Sequence, residues 1–224
     1  MPKAKFPDKN FKWTPELAYI IGLLTTDGNL SKDGRHIDFT SKDRKLVELF
    51  RECLHLNNKI GRKNSGSCLK KKYYRIQFGD VVFYRWLQKI GLSPCKTGLL
   101  DELEIPNKYF RDFLRGHLDG DGSIYTYRDY YNTFKNPKYI YQRLWATFLS
   151  ASKNHIFWLR KNINKFLNIK GHFCYQRISK PNQTTDMYKL KFGKKDSIKL
   201  LSWLYYSPSI PCLIRKRKIA EEFI

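Results

Sequence analysis

Hydrophobic and polar positions divide the chain into alternating helical and strand-like stretches, and the second half repeats the order of the first. Thr14-Pro15-Glu16 predicts a helix start, with Thr14 as N-cap and Pro15 at the first helical position. This helix runs to Asp27. From Arg35 to Thr40 the pattern alternates, placing Ile37 and Phe39 on one face and His36, Asp38 and Thr40 on the other. Ser41-Lys42-Asp43 precedes a helix whose apolar stripe is Leu46, Val47, Leu49, Phe50 and Leu54. A Gly/Ser/Lys hairpin from Gly61 to Lys72 leads into a strand from Tyr73 to Phe78, where Tyr74, Ile76 and Phe78 oppose Tyr73, Arg75 and Gln77. Asp80 to Ile90 reads as a helix, stopped by Gly91-Leu92-Ser93-Pro94-Cys95-Lys96.

The second half predicts a helix over Pro106 to Asp121 and strands over Ser123 to Tyr130 and Tyr139 to Leu149. A helix starting at Ser152 carries Ile156, Phe157, Leu159 and Phe166. Strands over Lys170 to Arg177 and Tyr188 to Phe192 flank a polar loop, and a helix over Ser197 to Tyr206 stops at Pro208-Ser209-Ile210-Pro211. Both halves therefore read α-β-β-α-β-β-α, which implies an internal duplication. Leu99 to Tyr109 joins them without a Gly/Ser-rich tract, so the halves 1–98 and 99–224 should pack together.

The first helices of the two halves end alike, in Ile20-Ile21-Gly22-Leu23-Leu24-Thr25-Thr26-Asp27-Gly28 and Leu114-Arg115-Gly116-His117-Leu118-Asp119-Gly120-Asp121-Gly122. An aspartate at a helix C-terminus opposes the helix dipole, and Gly after it suits a left-handed exit. Doing this twice brings two carboxylates to one place.

Composition adds a partner. The chain has 224 residues and carries 43 Lys+Arg against 20 Asp+Glu, a net charge of +23, which suits a phosphate-binding surface. No apolar run reaches the roughly 20 residues of a spanning helix, and the lysines are dispersed, which argues against a membrane role. The five cysteines form no C-x-x-C pair and read as free thiols. The basic N-terminus lacks an apolar segment and predicts an intracellular protein.

The paired motifs, the repeated order and the basic charge resemble the LAGLIDADG homing endonucleases in their single-chain, two-motif form. Thr25 departs from the motif, standing where the pattern carries a second acidic residue. The resemblance implies a pseudo-two-fold α+β fold, with two antiparallel sheets forming a DNA-binding saddle and the motif helices packed at the interface. It also implies a monomer that makes a site-specific double-strand break with 3′ overhangs, to spread a mobile intron.

The pattern has a physical basis. Gly22 and Thr26 share a helix face, as do Gly116 and Gly120, so the two helices can cross with backbones nearly touching. Asp27 and Asp121 are then carried to the bottom of the pair, whereas Asp119 points away. Two adjacent carboxylates beside a polyanion call for cations: Mg²⁺, with Mn²⁺ or Ca²⁺ able to occupy the same sites. Asp27 and Asp121 are the expected metal ligands and catalytic residues. The resemblance adds a basic residue beside each cluster, matched here by Lys96 and Lys216, to polarise the attacking water, offset phosphate charge, or contact phosphates. It also puts Ser41 and Ser152 where a polar residue orders water, although capping the following helix is their simpler role.

The strand faces opposite the core supply a DNA platform. The candidates are His36, Asp38, Thr40, Arg75 and Gln77 in the first half, and Tyr125, Tyr127, Asp129, Arg143, Trp145 and Thr147 in the second. Loops from Arg62 to Lys72 and from Arg177 to Thr185, Lys180 among them, would follow the phosphate backbone. His117 reads as a packed, hydrogen-bonded histidine. The aromatics interleaved with lysine suit either the core and ribbons or the stacking of single-stranded bases. Two alternatives share the scaffold: a maturase binding intron RNA, and a DNA-binding protein that does not cut. Asp27 to Lys96 spans 69 residues and Asp121 to Lys216 spans 95, which predicts an asymmetric target.

Overall fold

The computed structural model describes residues 11–65, 68–177 and 185–224. Helix α1 (Pro15–Asp27) leads into β1 (Gly28–Leu30) and β2 (His36–Ser41); α2 (Arg44–Cys53) is followed by β3 (Gly61–Ser65), β4 (Cys68–Gly79) and α3 (Val81–Lys89). After a short 3₁₀ turn at Asn107–Tyr109, α4 (Phe110–Asp119), β5 (Ser123–Asp129), β6 (Tyr141–Ser150), α5 (Lys153–Leu167), β7 (His172–Gln176), β8 (Met187–Phe192) and α6 (Lys194–Leu204) repeat that order. The sheets are antiparallel and equivalent, ordered β1-β2-β4-β3 and β5-β6-β8-β7. The duplication and the fold class predicted from sequence are therefore present.

Differences arise where local pattern is weak. Strand β1 has three residues, too few for alternation to register. The hairpin read from Gly61 is present, but its arms are β3 and the start of β4, with Gly61 opposite Arg75 and Asn64 opposite Lys72, where the stretch from Arg62 to Lys72 reads as a loop. Its run of polar residues hides the period of two. An extra helix, α7 (Ile214–Glu221), follows the stop at Pro211; its sequence, Ile-Arg-Lys-Arg-Lys-Ile-Ala-Glu, is too polar to announce itself. Thr14 caps α1 as predicted, its hydroxyl accepting from the Leu17 amide at 3.1 Å. Asp43, not Ser41, caps α2; Ser41 instead accepts from the Asp43 amide at 3.2 Å. Ser152 caps α5 and also donates to the Leu100 carbonyl.

Helix α1 is buried on all sides from Leu17 to Thr25 because α4 lies against it. A Cβ on Gly22 would sit 2.1 Å from the Phe113 carbonyl oxygen, and one on Gly116 would sit 2.0 Å from that of Tyr19. The backbones touch at two points, so only hydrogen fits there. The connection between the halves is ordered, with Leu100 and Leu103 buried and the Glu104 amide donating to Ile90 at 3.0 Å. One apolar core runs through both halves.

Charged groups within this core serve packing. Arg115 is fully buried, paired with Asp112 at 2.9 Å, and donates to the carbonyls of Pro211 (2.8 Å) and Leu204 (3.1 Å). It thereby ties α4 to the chain beyond α6. His117 packs as predicted, its ring stacked on His155 with centroids 5.2 Å apart, but its Nδ1 has no hydrogen-bond partner. Burial pushes His117 well below its usual range and His155 down to about 4, the hydrogen bond to the Asp101 carbonyl opposing the latter. An unfolded histidine takes up a proton near pH 6.5 while folded His155 does not. Stability is therefore present above that pH and lost as pH falls toward 4, by roughly 3 kcal/mol from this residue. His155→Asn should flatten the acid side of the stability curve, read by urea denaturation at pH 4.5 and 7.

Candidate active site and nucleic-acid interface

The two Asp-Gly ends meet beneath the crossing of α1 and α4. A Cβ on Gly120 would lie 2.0 Å from Thr26 Oγ1 and 3.2 Å from an Asp27 carboxylate oxygen, so the missing side chain makes room for the partner helix's carboxylate. Neither glycine after the aspartates adopts a left-handed exit: Gly28 has φ −83° and ψ 156°, and Gly122 is likewise outside the positive-φ set. Their requirement is steric. A Cβ on Gly28 would meet Leu24 Cα at 2.6 Å, and one on Gly122 the Leu118 carbonyl at 2.7 Å, because the chain folds back over the last helical turn to enter the sheet.

Among the described residues, no protein group donates a hydrogen bond to the carboxylate of Asp27 or Asp121. Burial first, then the neighbouring Asp121, raises Asp27 from the ordinary carboxylate range to about 7, with Lys96 and Lys216 opposing. Asp121 is raised by desolvation against the same two lysines, although the residue as a whole reaches solvent. Asp119 does point away. It is buried, and its Oδ2 accepts from Tyr19 Oη at 2.9 Å and the Leu213 amide at 2.7 Å.

Both candidate lysines reach this place. Lys96 Nζ donates to the Thr26 carbonyl at 3.3 Å and to that of Gly28. Lys216 lies within α7, not after a final helix, and is 4% exposed. Its Nζ donates to the carbonyls of Leu118 (2.5 Å), Asp119 (2.9 Å) and Gly122 (2.7 Å). Each lysine thus satisfies orphan carbonyls at the end of its own motif helix and offsets the acidic terminus. Three acceptors occupy all three N–H groups of Lys216; Lys96 has one to spare. Burial lowers Lys216 to about 8 and lowers Lys96 as well. Lys216→Met should destabilise the fold by about 2–4 kcal/mol, measurable by denaturant titration, because buried carbonyls lose their donor.

The predicted DNA faces are real faces of the sheets, with exceptions. Asp38 is 4% exposed and binds Arg75 Nη2 at 3.0 Å and Asn29 Nδ2 at 3.2 Å, so it orients Arg75 instead of meeting a groove. Thr147 is buried and bonded to Ser123 Oγ at 2.6 Å. Asp129 is paired with Arg143 at 2.7 Å. His36, Thr40, Gln77, Tyr125, Tyr127, Arg143 and Trp145 reach the surface in part or fully, and Arg177 is exposed just beyond β7. Lys180 lies outside the described residues. Pairing adds two residues that sequence reading missed, Lys189 opposite Leu149 and Lys191 opposite Thr147. Lys191 Nζ lies 3.6 Å above the Trp145 ring. The alternation of Lys189 and Lys191 with Tyr188, Leu190 and Phe192 was the available signal.

Residues 14–91 match the family model described as a LAGLIDADG-like domain. The whole chain also superposes on solved LAGLIDADG structures. One is the meganuclease I-AabMI bound to uncleaved DNA, with TM-score 0.59, 16% identity, and coverage of 94% of this chain and 89% of that one. The chain has the LAGLIDADG fold. The homing endonuclease I-DmoI in complex with DNA and Ca is similar at TM-score 0.56 and 15% identity, covering 92% of this chain and 97% of that one. Full-length DUF199/WhiA from Thermatoga maritima is similar at TM-score 0.54 and 18% identity, over 96% of this chain; the chain spans 63% of that protein. Comparison with curated protein sequences gives no match. Helix α1 lies within the matched residues, and α4 is its counterpart in the second half. Among the described residues, no helix is long and apolar enough to cross a membrane.

Proposed function

We propose that this protein is a site-specific endonuclease that cuts both strands of duplex DNA at a long, asymmetric site, leaving 3′ overhangs, in the service of intron homing. The observation that carries this reading is the pair of carboxylates, Asp27 and Asp121, brought together from two halves with no protein donor among the described residues. The flanking sheets and a net charge of +23 support duplex DNA as the partner.

The donor set fits a hard divalent cation. Asp27 and Asp121 offer oxygen only, and among the described residues no group of three or more His, Cys, Asp or Glu is placed to hold a metal ion. The remaining ligands are left to water and phosphate, as Mg²⁺ prefers. When bound, such cations supply positive charge to the scissile phosphodiester and to the attacking water. The chain's own part is positional. Touching helices fix the carboxylate spacing, Lys216 neutralises the end of α4 without contacting substrate, and Lys96 keeps one N–H spare beside Asp27 and Asp121. Arg75 and Gln77 on one sheet, and Arg143 on the other, reach base edges, while exposed lysines follow phosphates.

The test is selection from a randomised duplex library in Mg²⁺, with the ends of cut molecules sequenced. Recovery of one asymmetric site with 3′ extensions supports the reading; no cutting of any library member with Mg²⁺, Mn²⁺ or Ca²⁺ overturns it. The sheet faces and the net charge of +23 also suit a second reading, a duplex-binding protein that does not cut. Binding without cleavage in the same library would select it, and preferential capture of structured intron RNA would select a maturase.

A further inference from the structure

The connection between β5 and β6 breaks the two-fold likeness of the halves. Its counterpart between β1 and β2 has five residues, Ser31 to Arg35, with no aromatic side chain; this one has eleven, Tyr130 to Ile140. From Tyr130 to Tyr141 the sequence Tyr-Tyr-Asn-Thr-Phe-Lys-Asn-Pro-Lys-Tyr-Ile-Tyr contains five aromatic residues and two lysines, and no acid. Aromatic residues in a sheet protein ordinarily turn into the core. These do not: Tyr131 is 81% exposed and Phe134 73% exposed, with Tyr130, Tyr139 and Tyr141 exposed as well.

The loop is also built to hold this shape. The Thr133 amide donates to the Tyr130 carbonyl (3.0 Å), the Lys135 amide to Asn132 (3.0 Å) and the Tyr139 amide to Asn136 (2.9 Å). The Asp129 carboxylate receives the Tyr131 amide at 2.9 Å. Tyr131 and Phe134 stand edge to face with centroids 6.3 Å apart, and Lys135 Nζ lies 5.5 Å from the Phe134 ring centre. Ordered, water-facing rings beside lysines, with Asp129 at the loop's base already paired to Arg143, make a surface for anions that carry flat apolar groups. Nucleic-acid bases are such groups, but a duplex covers both faces of each internal base, so the rings need bases that are unpaired.

We propose that the β5–β6 loop is a stacking platform for single-stranded nucleic acid, distinct from the sheet faces assigned to duplex DNA. It rests on the reading of the chain as a nucleic-acid-binding protein. Stacking does not distinguish ribose from deoxyribose, so RNA and DNA strands are both candidates, and parallel arms separate them.

The test is fluorescence anisotropy at about 150 mM salt, with labelled single strands of about 12 nucleotides, one DNA and one RNA, and a blunt duplex of the same sequence. Wild type is compared with Tyr131→Ala/Phe134→Ala and with Tyr131→Phe. The expected result is single-strand binding weakened about tenfold or more in the double variant, kept in Tyr131→Phe, and unchanged duplex binding. Equal single-strand affinity in wild type and the double variant overturns the proposal, as does an equal loss on strand and duplex, or self-association that the double variant abolishes. Failure of wild type to bind the duplex, with single-strand binding intact, would instead count against the endonuclease reading alone.

Discussion

Asp27→Asn and Asp121→Asn should each abolish cleavage, lowering the rate on the order of a thousandfold or more, while making the metal-free protein more stable. The two effects share one cause. Asp27 is raised to about 7 by burial and by Asp121, so its ionised form is disfavoured in the folded state. Between its unfolded value near 4 and about 7, the folded protein holds the extra proton, and stability therefore falls as pH rises through that window. Asparagine carries no charge and escapes the penalty. With solvent reaching the pair, the gain above pH 7 should be about 2 kcal/mol, or about 4–8 °C in Tm, shrinking toward zero near pH 4. Millimolar Mg²⁺ should raise the Tm of wild type and leave the asparagine variants nearly unmoved, since binding to the folded state alone stabilises it. Scanning calorimetry with and without Mg²⁺, beside a cleavage assay, checks all of this. A variant that still cuts, or that melts earlier than wild type without metal, would remove the carboxylate pair from its proposed role.

Gly116→Val should be the most damaging single substitution in the helix pair, costing about 3 kcal/mol or more and leaving little folded protein. Its Cβ would stand 2.0 Å from the Tyr19 carbonyl oxygen, and that atom belongs to a helix buried on every side. No flexible side chain can yield, so α1 and α4 must move apart and the packed core between them must open. Gly22→Val, facing the Phe113 carbonyl at 2.1 Å, should behave alike. Gly61→Ala is the control: its nearest neighbour would be the Arg75 carbonyl at 3.8 Å, an ordinary contact, so the change should stay within about 1 kcal/mol. Circular dichroism melts of the three variants decide the matter. A folded Gly116→Val protein with near wild-type stability would show that the helices do not need this approach.

Much of the architecture was legible because it is written in periods. Apolar residues spaced for helices and strands recur in the same order twice, and the two sheets follow that order strand for strand. Where composition hid the period, reading failed. Strand β1 is too short, β3 and the start of β4 are a polar run, and α7 owes its place to packing that buries Lys216 and Ala220, not to an apolar stripe. Cap assignment between Ser41 and Asp43 turned on a shift of two residues that depends on where the chain leaves β2.

By itself the sequence determined the duplication, the pairing of Asp27 with Asp121, the small residues between their helices and the sign of the charge, because each is a matter of residue identity at fixed spacing. Tertiary structure decided what the neighbours do with those residues. It turned Gly28 and Gly122 from conformational exceptions into steric ones, made Lys216 a clamp on three carbonyls, drew Asp38 and Thr147 into the sheet, and left Tyr131 and Phe134 in water. Burial and hydrogen-bond partners come from segments far apart in the chain, and no local pattern carries that information.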